Sequence, residues 1–361
     1  MLKRQQKRPL AGMALLVAAT ALVLSGGACG QDRIVPTEAG PIKVETVARG
    51  LRHPWGLAFL PDGRMLVTER TGALRIVSSD GQISEPLAGV PKVYASGQGG
   101  LLDVALDPDF GSNQLIYLSY SEPGPEGSTT AVARGTLTDQ GLKDAKVIFR
   151  EVFPVDNGLH FGSRLAFTPD GKLFITLGER FQFDPAQDLS NHLGKIVRIN
   201  PDGSVPEDNP FLGQKDAQPE IWSYGHRNVQ GAAIHPDTGE LWETEFGPFG
   251  GDELNIVKAG SNYGWPIVSW GRHYNGKDIP DPPTHPEFAD AIYQWTPVIS
   301  PSGMTFYTGE AIPAWRGNLL IAGLSAQAIV RLTLDGEKVV TEERIPMGER
   351  IRDVIQAPDG S

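Results

Sequence analysis

The sequence predicts an all-β fold, a six-bladed β-propeller. Three observations lead there. Long helical periodicities are missing, while 43 Gly and 29 Pro punctuate the 361 residues. An apolar strand followed by Pro-Asp-Gly or a relative, and then usually by a second apolar strand, recurs along the chain. It is seen at FLPDGRMLV (59–67), ALDPDF (105–110), FTPDGKLFIT (167–176), INPDG (199–203), IHPDTGELW (234–242) and QAPDG (356–360). Finally, WGLAFLPDGRMLVTERTGALRIV packs three strands, about 55–60, 64–69 and 73–78, into one meander. Proline presets φ for the turn, and Asp-Gly accepts the positive φ of a tight hairpin. Repeated meanders joined by long loops predict a propeller, and about 330 mature residues at roughly 50–55 per blade predict six blades. The irregular spacing of the turn prolines leaves seven blades, or a sandwich of sheets, as alternatives.

The first element is not part of that fold. Residues 1–29 carry Lys3, Arg4, Lys7 and Arg8, then an apolar stretch from about Ala11 to Leu24, then small residues. That is the layout of an export signal. Cys29 closes it and is a candidate lipid-attachment site, with ordinary cleavage near Ala28 as the alternative. Either outcome puts the mature chain in the periplasm or at the cell surface. Residues 30–43 read as a linker, and 44–361 as one propeller domain. The chain stops on the QAPDG turn, so the last blade is expected to lack its closing strand.

Removing the four cations of residues 1–29 leaves 28 Lys/Arg against 43 Asp/Glu, a net charge near −15. So acidic a body argues against nucleic acid as a partner. Cys29 is the only cysteine, so no disulfide staples the mature chain. Its contact with a membrane is expected only through a lipid anchor. Stretches 121–145, 180–192, 204–220 and 271–290 read as loops rich in Pro, Gly and Asp. Loops on a rigid scaffold are where function sits.

Five short segments carry chemistry. His160 opens HFGSRLAFTPDGKLFITLGER, where neutral imidazole suits a general base near pH 7 and a hydrogen-bonded structural role is the alternative. Arg227 and Asn228 follow the apolar PEIWSY; a guanidinium buried there must be paired or must face a ligand. TEFGPFGGDELNIVKAGSNYGWP (244–266) sets acidic residues beside a glycine-rich bend, a source of carboxylate and carbonyl oxygens for Ca²⁺ or simply a solvated loop. Gln98 lies in a glycine turn of GQGGLLDVALDPDF. Arg350 and Arg352 stand two apart in GERIRD, on one face if that segment is a strand.

Six segments in order, GQGGLLDVALDPDF, LHFGSRLAFTPDGKLFITLGER, IWSYGHRNVQG, FGPFGGDELN with SNYGWP, SPSGMTFYTG and GERIRDV, resemble the soluble aldose sugar dehydrogenases. These are quinoprotein relatives of soluble glucose dehydrogenase that use pyrroloquinoline quinone (PQQ) and Ca²⁺. The resemblance runs from about residue 44 to 360. It implies an enzyme that oxidises aldoses at the anomeric carbon to lactones. His160 would take the hydroxyl proton while hydride passes to the quinone. It further implies that Arg227 and Asn228 hold the quinone oxygens, that Gln98 contacts PQQ and that Arg350 and Arg352 neutralise its carboxylates. Gly247 and Pro248 would bind the PQQ-linked calcium through backbone carbonyls, and Glu253 and Tyr263 a second, structural one. The electron acceptor would be external, a cytochrome or a quinone. Leu159 replaces an acidic residue of glucose dehydrogenase, Glu179 replaces an Asp, and GLSAQAIVRL (323–332) lacks a PQQ-contacting lysine. A calcium-dependent propeller hydrolase of the lactonase kind and a non-catalytic sugar- or protein-binding propeller are the competing readings.

Overall fold

The computed structural model describes residues 32–361, so the export segment and Cys29 lie outside the described residues. From Pro54 onward the chain is a series of antiparallel meanders. The first sheet has three strands, Pro54–Phe59, Met65–Glu69 and Ala73–Val77, close to the predicted trio. Four four-stranded sheets follow, each in sequence order. The second begins at Leu101–Leu106 and ends at Gly141–Arg150. The third runs from Leu165–Phe167 to Ile221–Tyr224. The fourth comprises Val229–Ile234, Leu241–Glu245, Asp252–Val257 and Tyr293–Trp295. The fifth runs from Pro301–Phe306 to Lys338–Pro346.

The Pro-Asp-Gly phrases are hairpin turns, as predicted. Leu60 N–H bonds to Arg64 C=O, Thr168 N–H to Lys172 C=O and Asn200 N–H to Ser204 C=O, with Pro-Asp-Gly between each pair. Gly63, Gly171 and Gly203 take φ of 85°, 79° and 95°, the left-handed position that a three-residue hairpin loop demands.

The inner strand of each sheet packs on the inner strand of the next, first on second through to fourth on fifth. Apolar clusters fill the space between neighbours: Leu66, Leu74 and Leu101 between the first two, Tyr117 and Ile175 between the next, Trp242 and Ile321 between the last two. This is a propeller, but its described residues form five blades, not six. The arithmetic of six shared the whole mature chain among blades. In fact the second sheet alone takes residues 101–150. Arg33–Val35 and Ile42–Val44, in the stretch expected as a linker, pair as a separate hairpin against the fifth sheet. Residues 351–356 run between the fifth and first sheets without entering a ladder: Gly303 N–H bonds to Arg352 C=O, and Leu57 N–H to the Asp353 carboxylate.

A second correction concerns 121–145, which is strand and not loop. Leu115–Gly124 and Gly127–Thr138 pair along their whole length, with Gly124 opposite Gly127. Its Gly-Pro-Glu-Gly is a tight turn, and the Ser-Thr-Thr run behind it is buried, with two β-branched threonines.

Candidate active site

A cavity of about 950 Å³ opens beside the third and fourth sheets. Its walls include Gln98, His160, Arg227, Gly247 and Pro248, five predicted site residues separated by up to 150 positions in the chain. Phe249 and Tyr274, 58% and 63% exposed, stand on its rim.

His160 precedes the third sheet in a left-handed backbone, φ 48°, which a non-glycine residue adopts only under constraint. Two contacts supply it. The Gln98 side-chain oxygen accepts the His160 N–H at 2.9 Å, and the His160 Nδ1 bonds to Glu179 Oε1. Glu179 Oε2 in turn accepts the Phe183 N–H at 2.7 Å. A carboxylate on Nδ1 selects the tautomer whose Nε2 carries the free lone pair. Burial pushes the imidazole below its ordinary value against the pull of Glu179, and the Arg227 charge pushes the same way as burial. Burial also pushes Glu179 up, but the hydrogen bond and charge of His160 outweigh it and hold the carboxyl low.

Arg227 and Asn228 lie together at the same cavity. Arg227 donates from one Nη to the carbonyls of Phe246 and Gly247, both at 2.9 Å. Its guanidinium lies 5.2 Å from the Trp265 ring centre. Arg227 Nε and Asn228 Nδ2 are buried donors without a hydrogen-bond partner among the described residues. Asn228 sits just behind the cavity wall, accepting the Gly162 N–H at 3.1 Å. Buried donors left unpaired are costly, so two of them side by side fit a ligand that brings acceptor oxygens.

The bend 246–251 forms one wall. Asp252 carboxylate accepts the N–H groups of Gly247, Ile299 and Ser300, which locks the bend against the fifth sheet. A Cβ on Gly247 would lie 2.1 Å from the Gly251 carbonyl oxygen and 2.2 Å from that of Gly250. Gly247→Ala should therefore cost about 1–3 kcal/mol of stability and deform the wall; urea unfolding checks the first and ligand titration the second.

The other predicted residues lie elsewhere. Arg352 is half-buried and donates to Gln230 Oε1 at 2.6 Å and Ser302 Oγ at 3.2 Å. Burial, with Arg164, Arg350 and Arg70 nearby, pushes its guanidinium down to about 9. A cation so crowded fits an anionic ligand. Arg350 is exposed, and because 351–356 forms no strand the two do not share a strand face as expected. Tyr263 is buried and Glu253 half-buried, and neither lines the cavity. Sequence reading missed Glu179 as the partner of His160, Arg70 among the cations, and Phe181, whose ring meets His160 edge-on at 5.4 Å. Local signals for these are slight, although the LGER run ending the third sheet's second strand does place polar residues where a strand stops.

Fold and site together define a propeller enzyme, with a buried acid–base pair facing an open cavity. The chain belongs to the glucose/sorbosone dehydrogenase family, whose model matches residues 51–361. It is 45% identical over 327 residues to the aldose sugar dehydrogenase YliI of Escherichia coli, covering 88% of each chain. A solved structure described as glucose dehydrogenase is 48% identical, covers 88% of this chain and 94% of that one, and superposes with a TM-score of 0.85. The PQQ-bound aldose sugar dehydrogenase of Streptomyces coelicolor is 33% identical, covers 88% of both chains and superposes at 0.71. The protein is accordingly an oxidoreductase of the sugar dehydrogenase group.

Proposed function

We propose that this chain oxidises aldoses at the anomeric carbon to lactones, with PQQ and Ca²⁺ as its cofactors. The observation that carries the reading is His160 on the cavity wall with its Nδ1 held by Glu179. The PQQ-bound relative and the unpaired donors of Arg227 and Asn228 support the cofactor. Bound PQQ would supply the hydride acceptor, with Ca²⁺ as a Lewis acid on it.

The chain's own residues do the rest. His160 Nε2 takes the proton of the anomeric hydroxyl, and Glu179 stabilises the imidazolium that forms. Arg227 and Asn228 aim donors at the quinone oxygens, where negative charge develops. Gln98 fixes the backbone at His160. Carbonyl oxygens of Gly247 and Pro248 suit a hard cation. Arg352, with Arg70 and Arg350 nearby, offsets carboxylates that a body at −15 would otherwise repel. The basic and apolar leader supports work outside the cytoplasm, with an external cytochrome or quinone as acceptor.

The test is reconstitution. Chelator-stripped protein should reduce an artificial dye with glucose only when both PQQ and Ca²⁺ are restored. Turnover that needs neither would sink the reading.

The pH profile gives a further prediction. The working base is neutral imidazole, and a lowered pKa keeps it neutral further into acid. The acid limb of kcat/KM should therefore titrate below 6.5, the ordinary imidazole value. Glu179 raises His160, so Glu179→Gln should move that limb to still lower pH while reducing kcat by roughly 10²-fold or more, because the tautomer is no longer held. A limb that stays in place in Glu179→Gln would show that His160 does not set it.

A further inference from the structure

Behind Arg227 lies a polar cluster that the proposed chemistry does not use. In the fourth sheet Glu243 pairs with Asn255, and Glu245 with Glu253. Pleat alternation puts all four side chains on one face. His226 reaches the same place from the segment before the sheet, its ring stacked on Tyr263 at 4.6 Å. His226 Nδ1 stands 3.3 Å from Glu245 Oε1 and 3.7 Å from Glu243 Oε1. The three groups can present ligand atoms within 4.8 Å of one another. His226 and Glu243 are 0% exposed and Glu245 is 4%.

Two oxygens of this cluster are left over. Glu243 Oε2 and Asn255 Oδ1 are fully buried and have no hydrogen-bond partner among the described residues. Asn255 Nδ2 donates to Glu243 Oε1 at 2.8 Å, which turns its amide onto the cluster while leaving Oδ1 unused. No Lys or Arg among the described residues forms an ion pair with Glu243, Glu245 or Glu253. Two buried carboxylates, Glu243 and Glu245, and the half-buried Glu253 share one imidazole and no counter-charge among the described residues, and burial without one is costly.

We propose that His226 Nδ1, Glu243 and Glu245 bind a divalent transition cation, zinc by preference, with Asn255 as fourth donor once its amide turns over to present Oδ1 in place of Nδ2. The donor set decides the metal. Ca²⁺ takes six to eight oxygens, whereas Zn²⁺ takes about four ligands and favours an imidazole nitrogen beside carboxylates. Ser223 Oγ, 2.9 Å from His226 Nε2, accepts its N–H in the tautomer that frees Nδ1 for metal. The site adjoins the Glu253 and Tyr263 pair expected to hold structural calcium but uses other donors: Glu253 Oε2 lies 3.4 Å from Asn255 Nδ2, and the Tyr263 hydroxyl donates to Ile256 C=O and accepts the Lys258 N–H. Glu245 also accepts the Arg227 N–H, so the cation would pin the backbone that aims the guanidinium at the cavity.

The experiment uses tag-free full-length protein, stripped with a chelator, dialysed into excess Ca²⁺ and titrated with Co²⁺ and then Zn²⁺. One equivalent of Co²⁺ should give the visible absorption of a four-coordinate nitrogen–oxygen site, and Zn²⁺ should bleach it and raise Tm. Glu243→Gln and Glu243→Leu should weaken both effects by roughly tenfold or more. Glu243→Gln should melt no lower than the metal-free parent, because it removes an uncompensated buried charge while keeping an acceptor for Asn255; this separates lost metal from lost fold. No cobalt band and no zinc-dependent rise in Tm in the parent would overturn the proposal, as would equal titration of parent and folded Glu243→Gln. Neither readout involves PQQ or turnover, so the proposal stands or falls apart from the dehydrogenase reading.

Discussion

Replacing His160 with alanine should lower kcat by about 10²–10⁴ with every aldose that the parent oxidises, a barrier increase of roughly 3–5 kcal/mol. The size follows from position. The His160 residue is 5% exposed, fixed by Glu179 on one side and by Gln98 at its backbone, and among the described residues no other histidine lines the cavity. PQQ titration by absorbance should be little changed, because the donors proposed for the quinone belong to Arg227 and Asn228. Rate loss with cofactor binding retained separates a base from a binding residue. Loss of both in parallel would reassign His160 to the cofactor. Unchanged turnover would favour the non-catalytic propeller, and lactone hydrolysis in place of dye reduction would favour the hydrolase.

Replacing Arg164 with methionine should destabilise the fold by about 3–5 kcal/mol, read as a lower urea midpoint. One guanidinium ties together most of the ring. It donates to Asp103 at 3.0 Å, to Asp353 at 3.1 Å and to the Gln230 carbonyl at 3.1 Å, and it lies 4.4 Å over Trp55. Those partners belong to the first, second and fourth sheets and to the 351–356 segment. Methionine keeps the stem but leaves the buried Asp103 and half-buried Asp353 carboxylates facing each other. Burial already raises Asp103 to about 6 even with the arginine present. A carboxyl whose folded pKa lies above its unfolded value favours folding below that pKa and loses the contribution as pH rises through it. The deficit should therefore be smaller at pH 5 than at pH 8. Arg164→Met with Asp103→Asn should recover part of it, and a deficit that ignores pH would mean packing, not charge, sets the cost.

How much of this was legible in the sequence depends on how far apart the interacting residues lie. Pro-Asp-Gly turns are local, and all four fell where expected. Strand identity in 121–145 was hidden because Gly, Pro and Glu read as loop, while the β-branched run behind them was discounted. Blade count failed because sheet length varies and one ring position is filled by an extended segment without a ladder. In the site, motif order brought five residues to one cavity. The same reading saw Glu179 only as a departure from an aspartate. Its hydrogen bond to His160 spans 19 positions and depends on left-handed backbone at residue 160, which no composition rule encodes. Arg164 passed as one of many polar residues at a strand start, since only burial against Asp103 and Asp353 reveals what it does.

The rim bears on kinetics. Phe249 and Tyr274 flank a cavity of about 950 Å³, roomy enough for a sugar. On the proposed reading the electron acceptor must come to the same opening once the lactone has left. Two visitors sharing one door cannot both be inside. Double-reciprocal plots at several acceptor concentrations should then be parallel lines, and either partner in excess should slow turnover by occupying the wrong form of the enzyme.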